Sequence, residues 1–99
     1  MTCGGLSPIV DADANIQAIV DQVLDSVNRQ TGKQYSKLTA IKYGTQVVAG
    51  INYFVKVLTN TNTYLHLRIF QPLPDTHRGP ELTGLQENKT KEDIVKIFD

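Results

Sequence analysis

The 99-residue sequence has no tryptophan, one cysteine, one methionine and two histidines, and each scarcity removes a class of function. With Cys3 alone, no intrachain disulfide can form, so stability must come from packing and hydrogen bonds. Cys3 belongs to no C-x-x-C pair, and His66 and His77 are too few and too widely spaced for a metal site. No metal or other cofactor is expected. Charge of one sign is also missing, since Lys+Arg and Asp+Glu number ten each and the net charge is zero. Without a basic surplus, nucleic acid is not an expected partner. No apolar run approaches the ~18 residues of a membrane span, so no membrane role is expected. The opening Met1 to Pro8 has neither a basic stretch nor an apolar one and does not read as a secretory signal. With the unpaired cysteine, this points to a reducing, cytoplasmic setting.

Catalytic signatures are absent too: no G-x-S-x-G elbow, phosphate loop, dinucleotide fingerprint or H-E-x-x-H pair occurs. What remains for an enzyme is Cys3 as nucleophile with His77 as base. A nucleophile needs a rigid position, and Cys3 lies beside Gly4 and Gly5 in a loose terminus. An exposed thiol without catalytic use is the expectation, and no residue is assigned a catalytic role.

What is present fits one domain over residues 1–99, with 1–12 as an extended or mobile leading segment. Ile16, Ile19, Val20, Val23 and Val27 follow helical spacing and line one face, which predicts a single long helix from Ala14. Asp13 is placed to cap its start and Gly32 to end it in a left-handed conformation. After Tyr35 the period drops to two. Strands are predicted over Leu38 to Val48, Asn52 to Thr59 and Tyr64 to Gln71, with a weaker one over Glu81 to Glu87. Short connections impose antiparallel pairing. The expected fold is α+β: a four- to five-stranded antiparallel sheet wrapped around one long N-terminal helix. The segment from Thr90 to Asp99 either packs beside the sheet or forms a short helical turn.

Three stretches are apolar or glycine-bearing where a loop should be polar: Gln46-Val47-Val48-Ala49-Gly50, Leu73-Pro74 leading to His77, and Cys3-Gly4-Gly5-Leu6. Taken singly, each has a plain alternative: a strand end turning at Gly50, a proline-terminated loop, a disordered terminus. In a meander, turns alternate between the two ends of the sheet, so the first two tips should share one end. A tail running to that end would complete a wedge able to fill a groove in a partner.

These residues resemble the cystatins. Gln46-Val47-Val48-Ala49-Gly50 is that family's loop motif. The Cys3-Gly4-Gly5 opening, Ile19-Val20-Asp21-Gln22-Val23, Gly50 to Val57, His66-Leu67-Arg68-Ile69-Phe70 and Leu73-Pro74 resemble its type 1 branch, the stefins. The resemblance implies reversible, tight-binding, competitive inhibition of papain-like cysteine proteases such as cathepsins B, H, L and S. It places Gly4 nearest the protease cysteine, Met1 to Cys3 in the non-primed subsites and residues 46–50 along the cleft. Leu73, Pro74 and His77 would touch the primed side. The chain departs from the family pattern at Pro72, where a small polar residue is usual, and at Gly44, read as a bulge in its strand. A protein-interaction module that keeps the fold without inhibiting proteases is the alternative. A monomer is expected, with exchange of the helix and first strand between two copies as a hazard of a strained 46–50 hinge.

Overall fold

A computed structural model describes residues 5–99 of the protein. Its elements in order are β1 (Val10–Asp11), α1 (Ala14–Gln22), α2 (Leu24–Thr31), β2 (Leu38–Val48), β3 (Gly50–Thr59), β4 (Tyr64–Gln71), a 3-10 turn (Pro74–Thr76) and β5 (Glu81–Lys89). The strands form one antiparallel sheet in sequence order, β1-β2-β3-β4-β5.

The helical segment begins where Asp13 breaks from extended backbone and its Oδ1 accepts the Ile16 N–H at 2.9 Å. That bond satisfies an amide with no partner inside the helix. Asp13→Ala is therefore expected to lower unfolding free energy by about 1 kcal/mol in urea titration, and Asp13→Asn by much less. Gly32 ends the segment in the left-handed region, φ 73°, with its N–H on Asn28 O.

The single long helix is corrected to two. Val23 separates them: its N–H bonds back to Val20 O at 3.1 Å, and its φ and ψ of −105° and 5° leave the helical range. The apolar stripe continues across the break: Ile16, Val20, Val23 and Val27 are each at most 1% exposed. Each such side chain contributes roughly 1.5–3 kcal/mol by leaving water. They pack on Val55, Val57, Leu65, Leu67 and Ile69 from the inner face of the sheet. Gln17 ties α1 to β2, donating to Leu38 O at 2.8 Å and accepting from Ala40 N–H at 2.9 Å.

The outer face of the sheet is covered as well. Asn52, Phe54 and Lys56, which alternate with the inward Tyr53, Val55 and Val57, are buried, Phe54 completely. The C-terminal segment covers Phe54 and Lys56 by packing beside the sheet. Phe98 meets Phe54 edge-on with ring centroids 5.7 Å apart, and Lys56 Nζ donates to Lys91 O at 2.6 Å. Val95 is also buried. The strap from Thr90 to Asp99 thus turns a half-buried sheet into one covered over part of both faces.

Gly44 does not mark a bulge. It pairs regularly with Phe54, and the register shift in β2 lies between Ala40 and Lys42.

Candidate functional site

β2 and β3 meet in the tightest possible way. Val48 pairs with Gly50, so Ala49 alone makes the turn. Val47 and Val48 belong to the strand, yet the tip leaves Val47 64% exposed. Beneath them, Asn52 Nδ2 donates to Gln46 Oε1 at 3.0 Å and braces the two strands.

Gly50 is the clasp. Its φ of +124° lies where residues with a side chain seldom go. A Cβ there would sit 2.5 Å from Gln71 O and 2.9 Å from the Phe70 ring. Only glycine lets the first tip lie directly against the strand that leads into the second.

The second tip starts where Ile51 pairs with Gln71, so Pro72 and Leu73 emerge at the same end as Ala49. Pro72 is buried, while Leu73 and Pro74 are exposed. Leu73 O accepts both the N–H and the hydroxyl of Thr76, at 3.1 and 2.8 Å, closing the 3-10 turn. His77 then adopts φ 55° and donates its N–H to Pro74 O at 3.2 Å. Gln71 Nε2 reaches across the loop to Arg78 O at 3.3 Å. Both tips are held by local bonds and lose little freedom on docking.

Between the tips lies an open apolar cleft of about 500 Å³, lined by Val47, Val48, Gly50, Ile51, Gln71, Pro72, Leu73 and Pro74. No charged side chain lines it. Five of the sequence-predicted residues therefore converge: Val47, Val48, Gly50, Leu73 and Pro74. Ala49 instead lines a shallow hollow with Asn52, Arg68 and Phe70, and Gln46 lies under the tip. His77 is exposed beyond the turn and does not line the cleft. Ile51 and Pro72 join the cleft without having been picked out for it. Ile51 follows the glycine in a strand pattern, and a proline is expected merely to end one.

The leading segment runs antiparallel to β2. Val10 pairs with Tyr43 and Asp11 with Lys42, and Ser7 exchanges bonds with Thr45. Followed backwards from Ser7, the chain heads toward the Val47–Ala49 end, where Gly5 is exposed. Cys3 and Gly4 lie outside the described residues. Lys42 Nζ bonds Asp11 Oδ1 at 2.7 Å, and this holds the Asp11 carboxyl below its ordinary range. Among the described residues, no group of His, Cys, Asp and Glu side chains is arranged to hold a metal ion.

A sheet wrapped on a helical segment, with an apolar cleft between two tips at one end, is the architecture to be placed among known proteins. Residues 4–92 match the Cystatin domain family. The chain belongs to the cystatin family, whose members are protease inhibitors and not enzymes. Relatives that it resembles over nearly their full length include stefins. Human Cystatin-A is 45% identical across 99% of this chain and 100% of that relative. Bovine Stefin-C is 39% identical, covering 96% and 94%. Porcine Leukocyte cysteine proteinase inhibitor 1 is 43% identical, covering 99% and 95%.

Proposed function

We propose that this protein inhibits papain-like cysteine proteases of the cathepsin B, H, L and S class reversibly and competitively. It enters the substrate cleft with its leading segment and two tips. The observation that carries this reading is the apolar cleft-bearing end, where Val47 and Leu73 stand exposed on backbone fixed by Gly50. Apolar side chains on preformed turns gain by desolvation and lose little entropy when they fill a groove. Gln46 to Gly50 would lie along the cleft, and Leu73, Pro74 and His77 on its primed side. Cys3, Gly4 and Gly5 would lie over the catalytic cysteine and the non-primed subsites. Gly4, lacking a Cβ, would permit the closest backbone approach.

The protein would act as a cytoplasmic monomer. Among the described residues, no helix is long and apolar enough to cross a membrane.

Titration of active-site-quantified papain tests the reading. Stoichiometric loss of activity is expected, with Val48→Asp weakening binding by at least about tenfold, since a carboxylate would be desolvated in the interface. A folded monomer that leaves papain fully active would overturn the proposal in favour of an interaction module with another partner.

A further inference from the structure

Gly44 sits inside β2, where a glycine weakens a strand relative to a residue with a side chain. Its backbone is ordinary strand, outside the left-handed region, so conformational freedom does not explain it. The space above it does. A Cβ on Gly44 would lie 2.7 Å from Ile9 Cδ1, and 3.0 and 3.1 Å from Leu6 Cδ1 and Cγ. Gly44 is buried, and Leu6 and Ile9 are half-buried over it. The leading segment therefore rests two apolar side chains in a notch made by a missing side chain. On either side of the notch its backbone is pinned to β2. Ser7 N–H donates to Thr45 O at 2.8 Å, Thr45 N–H donates to Ser7 Oγ at 2.8 Å, and Ala12 N–H donates to Ile41 O at 2.9 Å.

The geometry points to Gly44 as a positioning residue: its notch seats Leu6 and Ile9, and so aims the leading segment along the sheet toward the two tips. Gly44 would touch no protease atom and would act only through the segment it orients. This rests on the inhibitor reading above. A segment already directed along the cleft loses less entropy on binding than one that must be ordered at the moment of contact. The benefit should appear mainly as slower dissociation.

The test uses the full-length chain and two kinds of variant. Gly44→Val fills the notch from the strand side with a residue well suited to strands. Leu6→Ala with Ile9→Ala empties it from the segment side and leaves β2 untouched, so the test survives if the valine variant fails to fold. In each, amide exchange at Ser7 and Thr45 is expected to accelerate by at least about tenfold while core amides in β3 and β4 keep their protection. Dissociation from papain should accelerate by about tenfold as well. Adding Ile9→Ala to Gly44→Val makes room for the new side chain and is expected to restore part of both.

Unchanged exchange at Ser7 and Thr45 in both kinds of variant would overturn the notch. Accelerated exchange with unchanged dissociation from papain would overturn its role in aiming the segment. A wild-type protein that does not inhibit papain would instead sink the inhibitor reading, and the aiming role with it.

Discussion

Replacing Gly50 by alanine is expected to lower unfolding free energy by about 3 kcal/mol and to weaken protease binding by roughly a hundredfold. The two losses share one cause. At φ +124° a side chain strains the backbone, and the new Cβ would be driven to 2.5 Å from Gln71 O, a backbone atom that cannot swing aside. Relief requires β3 and β4 to separate at the end where both tips are carried. The cleft lined by Val47, Val48, Leu73 and Pro74 would change shape even though none of those residues is altered. Val47→Ala makes the contrast: Val47 is 64% exposed, so its truncation should leave stability within about 0.5 kcal/mol while still weakening the complex. Urea denaturation and papain titration of both variants check the pair. Gly50→Ala with wild-type stability would show that the clasp is not the constraint described.

The second large effect is a loss of stability in acid, traced to His66. The ring is 2% exposed on the outer face of the sheet, and its Nε2 has no hydrogen-bond partner among the described residues. Burial, with the ammonium groups of Lys89 and Lys56 nearby, lowers its pKa to about 4, against a smaller upward pull from Asp93. An unfolded chain would take up the proton near pH 6.5, well before the folded one. This contribution to stability is therefore complete above about pH 6.5 and lost as pH falls toward 4. Between about pH 7.5 and 4.5 the loss should reach about 2 kcal/mol. His66→Leu removes the titrating group and the orphaned nitrogen together, so it should flatten that part of the pH profile and leave neutral stability little changed. Denaturant unfolding of both proteins across the range decides it; parallel profiles would exclude His66 as the source.

Both effects bear on what the sequence made legible. The helical stripe, the Asp13 cap, the Gly32 stop and four strands were readable because each is written in local spacing. The shared end of the two tips followed from topology, since antiparallel turns alternate. The break at Val23 was not readable, because no glycine or proline marks it. Val20, Val23 and Val27 follow the spacing of an unbroken helix and are all buried, so their pattern gives no sign of it. The burial of Phe54, Lys56 and His66 was hidden for a different reason. A period of two says which residues share a face, and it cannot say that a segment some 40 residues later will cover that face. Gly44 was singled out, but its neighbours Leu6 and Ile9 are distant in sequence, so the notch looked like a bulge. The convergence of Val47, Val48, Leu73 and Pro74 could be inferred; the clasp between them needed the coordinates of Gln71 O.

The leading segment has one more consequence, for the fate of the protein among copies of itself. β2 is eleven residues long, and only β3 covers one of its sides. Along the other side the outward backbone groups are met by Ser7, Val10, Asp11 and Ala12. An uncovered strand edge of that length is a template on which a second chain can add a strand. The segment proposed to enter a protease cleft thus also guards the sheet's open margin. Clipping it would, on that proposal, cost the molecule a blade and leave it an adhesive flank.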